Sequence, residues 1–336
     1  MNYNINSGYG QMLAMQLAAS VGPIIGRILV VLEDSDPNVV QNMIKNIFTP
    51  DPDGNVRFFT TLEAAYTAAT SNANDVILLS GHTTHAISTG IAWSKSRINV
   101  IGMDGGGRLV QQGSKIELSG AVDSAYVLKV TGTRNSFKNI KFIQSSTHAN
   151  ALNVVQFAGE GNKYENCSFV FGVADNLDLT TSAEALMGED AGTFINCSFG
   201  TDVLLTSGAR NVMAFDAITG ASSADGAKSN RFIDCEWLIM SSEANAQLIK
   251  VVDTAGAKFL NEFINPRFMA VVSSGGGGVA ITNAVQSVAS FVDGSFHFVR
   301  PTTGNCTNFC ATLNSQFTIA GAPVFSSNAH EGGTPA

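Results

Sequence analysis

One unit of apolar and polar positions recurs along most of the chain. An aromatic residue is followed by any residue, then Asn or Asp, two further residues, and a second aromatic. The unit occurs as Phe137-Lys-Asn139-Ile-Lys-Phe142, Tyr164-Glu-Asn166-Cys-Ser-Phe169 and Phe194-Ile-Asn196-Cys-Ser-Phe199. It returns as Phe232-Ile-Asp234-Cys-Glu-Trp237, Phe263-Ile-Asn265-Pro-Arg-Phe268 and Phe291-Val-Asp293-Gly-Ser-Phe296. The Asx positions 139, 166, 196, 234, 265 and 293 stand 27, 30, 38, 31 and 28 residues apart. Short strands that keep register while the connecting loops vary in length produce this near-regular period. Ser96-Arg-Ile-Asn99-Val-Ile-Gly102 reads as an earlier, degenerate unit.

The letters of the unit have a physical reading. Parallel strands stacked about 4.8 Å apart bring equivalent residues into ladders. Phe142, Phe169, Phe199, Trp237, Phe268 and Phe296 are expected to form an aromatic column inside the coil. Asn139, Asn166, Asn196, Asp234, Asn265 and Asp293 are expected to form a column at a corner, where short polar side chains satisfy backbone amides. The expected fold class is all-β: a single-stranded right-handed parallel β-helix with a small N-terminal α/β module and a capping helix. Cys167, Cys197 and Cys235 share a repeat position, so they should stack as buried free thiols.

The opening of the chain has a different pattern. Met12, Leu13, Gln16, Leu17 and Val21 follow helical spacing up to Gly22-Pro23. Ile28 to Leu32 is a buried strand. A second helix should begin with Asp36 as cap and Pro37 in its first turn, turning Val40, Met43, Ile44, Ile47 and Phe48 inward. Thr60-Thr61-Leu62-Glu63 reads as a capping box with Thr60 as cap, opening a helix through Ala69 that should cover the first turn of the coil. The expected division is residues 1–56 as an arm and anchoring module, 57–325 as the β-helix with its capping helix, and 326–336 as a loose tail.

Composition adds limits. The chain has 336 residues, 45% hydrophobic and 14% charged, with 33 glycines and a net charge of −8. This balance excludes wholesale disorder and speaks against a nucleic-acid groove, which needs clustered Lys and Arg. No stretch reaches the roughly 20 apolar residues of a membrane span. Residues Met12 to Ile28 lack the preceding positive charge of a signal peptide. Five cysteines without such a signal suggest a reducing compartment, and Cys306 and Cys310 have no partners for a zinc site. No metal and no cofactor are expected.

Catalytic inventory is thin. Glycoside hydrolysis needs two carboxylates about 5 to 9.5 Å apart. The candidates are Asp175 with Asp178 and Glu189 with Asp190, which read as solvated acids of the loops between repeats. Arg210, Lys228 and Arg231 show no acidic cluster opposite them in the repeat. His82, His85, His148, His297 and His330 are scattered. No catalytic residue is therefore named, and the chain is expected not to be an enzyme.

Phe58-Phe-Thr-Thr-Leu-Glu-Ala-Ala-Tyr66, Asp75-Val-Ile-Leu-Leu-Ser-Gly-His82 and Ile98-Asn-Val-Ile-Gly102, with the repeats, resemble pectate-lyase-like β-helix proteins over residues 58 to about 300. Ser7-Gly-Tyr-Gly10, Arg27-Ile-Leu-Val-Val31, Pro50-Asp-Pro-Asp-Gly54 and Gly81-His82 are similar to tailed-bacteriophage structural proteins encoded near the major capsid protein. The resemblance implies a virion component of the capsid-decoration or head-fibre type, assembled in the host bacterial cytoplasm. It would form a homotrimer and dock on the major capsid protein or another virion protein. Asn2, Tyr3, Asn4 and Tyr9 are the candidate contact residues for that docking, since aromatic residues favour interfaces. A host-surface glycan is a further candidate partner. The alternative is a tailspike-like polysaccharide depolymerase or a carbohydrate-binding adhesin on the same scaffold.

Overall fold

The computed structural model describes residues 26–48, 56–104, 113–173, 181–218, 226–252, 259–272, 277–287, 294–310, 317–320 and 324–326. The expected contact residues Asn2, Tyr3, Asn4 and Tyr9, the ladder residue Asp293, the acids Asp175 and Asp178, and the tail from 327 lie outside them. The described strands form three sheets of 11, 9 and 8 strands, denoted A, B and C, with parallel ladders throughout. Beyond the first turn, neighbours within a sheet are one full coil apart in sequence, and successive strands alternate between sheets. The chain is an all-β parallel β-helix. Crossovers between parallel strands of one sheet take the right-handed sense.

Two aromatic columns run through the interior. Phe142, Phe169, Phe199, Trp237 and Phe268 stack along sheet B at centroid separations of 5.3, 5.1, 5.4 and 4.9 Å. Phe137, Tyr164, Phe194, Phe232, Phe263 and Phe298 stack along sheet A at 5.4, 4.7, 4.6, 4.6 and 4.7 Å. All are buried. Each ring is held in place by rings above, below and across the coil, in the offset and edge-on arrangements that aromatics prefer.

The last repeat departs from expectation. Phe296 pairs with Asn261 in sheet A, while Phe298 pairs with Phe263. Thr303, not Phe296, follows Phe268 in the sheet B column. The repeat is displaced by seven residues, and Phe296, two residues before Phe298 on the same strand, shares its inward face. Phe296 therefore remains buried, against Phe215 and Phe263, although it is displaced from the expected column.

Asn139, Asn166, Asn196, Asp234 and Asn265 each adopt φ between 50 and 58° at the turn from sheet A to sheet B. Asn and Asp tolerate this left-handed conformation better than other side chains do. Asn166 Nδ2 donates to Asn139 Oδ1 at 2.8 Å, Asn196 Nδ2 to Asn166 Oδ1 at 3.1 Å and Asn265 Nδ2 to Asp234 Oδ1 at 3.0 Å. Arg300 takes the same conformation on the last such turn. Every one of these turns has two residues between strands, whereas the passage from sheet B to sheet C varies from Asn305 alone to all of 172–182.

Strand β1 (Ile28–Val31) lies in sheet A between β2 (Val56–Phe59) and β3 (Val76–Leu79). The division expected between residues 56 and 57 thus falls inside a strand of a continuous sheet. Helix α1 (Asn38–Ile47) packs Val40, Ile44 and Phe48 against the outer side of that sheet, but Met43 is 55% exposed. The i, i+4, i+8 stripe suffices, and Met43 lies off it. Asp36 does not cap α1: Pro37 holds the cap position. Helix α2 (Leu62–Ala68) is capped by Thr61, whose hydroxyl accepts from Ala64 N at 3.2 Å. Thr60 is therefore not the cap, and Glu63 accepts from Ser88 N instead of reaching back.

Candidate functional site

The return from sheet C to sheet A forms a second corner with its own buried column. Arg97, Arg134, Gly161, Ala191 and Ser229 adopt φ of 53 to 63° on successive turns. The next residues include Asn135, Asn162 and Asn230, all buried. Asn135 Oδ1 accepts from Ile98 N at 3.0 Å, Asn162 Oδ1 from Asn135 N at 2.7 Å and Asn230 Oδ1 from Gly192 N at 2.8 Å. Asn261 Oδ1 in turn accepts from Asn230 Nδ2 at 3.0 Å. The column was legible as an Asn two residues before each first aromatic: Asn135-Ser-Phe137, Asn162-Lys-Tyr164, Asn230-Arg-Phe232 and Asn261-Glu-Phe263.

Gly192 occupies one place in this column, and Glu189 supplies the missing acceptor. Its Oε1 takes Asn162 N at 3.1 Å and Asn162 Nδ2 at 2.7 Å. A Cβ on Gly192 would lie 3.0 Å from the Glu189 carboxyl carbon, so the glycine makes room for the acid. Glu189 is fully buried, in contrast to the solvated loop acid expected. Burial pushes its carboxyl up to about 7. Burial first and the Glu189 charge second hold the Tyr164 hydroxyl well above its ordinary range. Glu189 Oε2 and the Tyr164 hydroxyl are both buried and have no partner beyond each other.

Asp190, the neighbour of Glu189, lies at the same corner and is buried as well. Thr133, Glu160, Asp190 and Lys228 form single bridges from one turn to the next. Lys228 Nζ lies 3.1 Å from Asp190 Oδ2. Asp190, like Glu189, is therefore not the solvated loop acid expected. The pair the fold does align is Glu160 with Asp190, one turn apart, followed by Lys228.

The other cations left unpaired in the sequence also find acids. Arg231 Nε lies 2.9 Å from Glu262 Oε2, and Arg210 Nη1 lies 2.6 Å from Glu184 Oε1 with both side chains fully buried. Burial raises the Glu184 carboxyl, and Arg210 counteracts it. These partners come from other turns of the coil, beyond the reach of a repeat read one unit at a time. On the face of sheet A, Lys138 and Lys163 each lie 2.8 Å from Glu165. Although partial burial works against them, they hold the Glu165 carboxyl below its usual range.

Cys167, Cys197 and Cys235 are free and fully buried on consecutive turns. Burial pushes the Cys167 and Cys235 thiols well above the ordinary thiol range. The histidines do not converge. His82 is exposed, His85 is buried in sheet B, His148 lies 3.3 Å from Asp123 and His297 is in sheet A; His330 lies outside the described residues. Among the described residues no group of three or more His, Cys, Asp or Glu could hold a metal ion.

No protein-family model matches the chain, and no curated protein does. Among solved structures it is similar to a pectin methylesterase mutant in complex with a hexasaccharide, at 10% identity and a TM-score of 0.46, covering 92% of this chain and 91% of that one. It is also similar to the pectin methylesterase from Yersinia enterocolitica, at 11% identity, a TM-score of 0.42 and coverages of 82% and 92%. The pectin methylesterase from Aspergillus niger follows at 9% identity, a TM-score of 0.37 and coverages of 92% and 87%. At these identities the likeness is one of fold. The pectate-lyase-like coil stands. The expectation of a chain without enzymatic activity does not, because the similar structures are enzymes and a coil of this kind is no ground for excluding catalysis. None of these comparisons links the chain to a virion.

Proposed function

We propose that the chain acts on a polysaccharide, engaged at the corner between sheets C and A. The observation that carries this reading is the column Glu160, Asp190 and Lys228 on consecutive turns. Turns stack about 4.8 Å apart, a spacing comparable to the roughly 5 to 5.5 Å between the carboxyl groups of retaining glycoside cleavage. Glu160, exposed at the rim, is the proton donor to the leaving oxygen. Asp190, ion-paired with Lys228, supplies negative charge beside the oxocarbenium-like centre as the bond breaks, and water then adds to that centre and returns a proton to Glu160. A regular rod suits a linear polymer, since equivalent side chains recur at a fixed interval along it. The finer form of the proposal is a tailspike-like component of a bacteriophage particle, supported by the short segments at residues 7–10, 27–31, 50–54 and 81–82.

The test is incubation of the purified chain with bacterial surface and plant polysaccharides, followed by assay of new reducing ends. At least one should be shortened. Glu160→Gln should lower the rate by about 100-fold or more without moving the melting temperature. A panel in which nothing is shortened, or an unimpaired Glu160→Gln, defeats the reading.

A further inference from the structure

The interior column of sheet B begins with a histidine. His85, on strand β4 (Thr84–Ile87), pairs with Ile116, which in turn pairs with Phe142 at the foot of the aromatic stack. Strand β4 is the edge of sheet B, so no further turn of the coil covers His85. The segment between β1 and α1 covers it instead. His85 Nε2 lies 3.0 Å from Ser80 O, and Nδ1 lies 3.3 Å from Glu33 Oε1. Asp36 completes the closure: Oδ2 accepts from Ser80 Oγ at 2.7 Å and from Glu33 N at 2.9 Å, and Oδ1 accepts from Thr83 Oγ1 at 2.9 Å. The imidazole and the Asp36 carboxylate are both buried.

This geometry fixes the protons. A carbonyl oxygen can only accept, so Nε2 carries a hydrogen. A neutral ring would then turn the Nδ1 lone pair toward the Glu33 carboxylate, and two acceptors would face each other. A doubly protonated ring removes that conflict and forms an ion pair. We propose that His85 and Glu33 are a pH-sensitive clasp that holds the segment 32–48 over the open end of the coil. Histidine exchanges its charge within the physiological pH range. The clasp is closed with a charged ring and loosened with a neutral one.

Besides the buried Asp36 carboxylate, the charged neighbours are held elsewhere. Lys115 and Glu117 flank Ile116 on the adjacent strand and alternate to its outer face. From α2, Glu63 is bonded to Ser88 N and Tyr66 to Ala92 O. Asp104 accepts from Gly113 N, and His82 is exposed.

Hydrogen exchange on the full chain between about pH 5 and pH 8, corrected for intrinsic base catalysis, tests the clasp. Protection of the Phe48 amide, which donates to Ile44 O, should fall severalfold with rising pH. Protection of Ser198, bonded to Cys167 O in the middle of the coil, should stay constant. Glu33→Gln should abolish or reverse the slope, since its amide can donate to a neutral Nδ1. His85→Phe, which continues the aromatic column, should flatten it. A pH-independent Phe48 in the native chain, or an unchanged slope in Glu33→Gln, overturns the proposal even if His85→Phe fails to fold.

Discussion

Replacing Glu189 with glutamine should make the fold more stable at neutral pH and remove part of its pH dependence. The side chain is fully buried, and its carboxyl is raised from an ordinary 4.5 to about 7. The unfolded chain releases this proton near the lower value and the folded chain near the higher one. Between the two, the folded state binds more protons, so stability falls as pH rises, and above about 7 it levels off. At about 1.4 kcal/mol per pH unit, the buried carboxylate costs the fold about 3 kcal/mol beyond neutrality. Glutamine keeps the acceptor that Asn162 uses at 2.7 Å. It also removes the charge beside the Tyr164 hydroxyl and places there an amide donor that the hydroxyl oxygen can accept. Urea unfolding of both proteins across this pH range gives a difference curve that cancels every other titrating group. The variant should match the native chain near pH 4.5 and exceed it by about 3 kcal/mol near pH 8. A flat difference curve, or a variant destabilised at the alkaline end, would refute both the burial and the assigned role.

Two further outcomes test the packing. Phe199→Ala should cost about 3 to 5 kcal/mol through the cavity it opens, while Lys141→Ala on the outer face should stay within about 0.5 kcal/mol; equal melting temperatures would contradict the inward column. Arg210→Met should cost about 3 to 5 kcal/mol by stranding the buried Glu184 carboxylate, and Arg210→Met with Glu184→Leu should recover most of it. Urea midpoints that leave the single variant unharmed would show that the pair is not sealed from solvent.

Features repeated every turn were the most legible. The aromatic and Asx positions recur in fixed relation, so their spacing alone predicted a coil with stacked interiors. Features that depend on a single turn were hidden. Glu189 looked like a loop acid because its burial follows from Gly192, three residues on, failing to supply a side chain to the Asn column. Phe291 to Phe296 matched the repeat by eye, but Phe298 to Thr303 holds the same place seven residues on, and only the pairing of Phe298 with Phe263 resolves it. The ion pairs of Arg210, Lys228 and Arg231 join residues 26, 38 and 31 apart, distances set by loop lengths that no local pattern encodes. The candidate column of Glu160, Asp190 and Lys228 escaped notice for the same reason.

The turns from sheet A to sheet B have a practical consequence for anyone who would remodel this rod. The six from Asn139-Ile140 to Arg300-Pro301 are two residues long, and the side-chain amides of Asn139, Asn166 and Asn196 are bonded in an unbroken line along the edge. An extra residue there would separate neighbouring amides and spoil several turns at once. The passage from sheet B to sheet C already carries connections as long as residues 172–182 beside others of a few residues. Peptides or whole modules grafted along that seam would project as fins and leave the stack undisturbed. Along those six turns one edge is closed to insertion, and the other is a ready place for display.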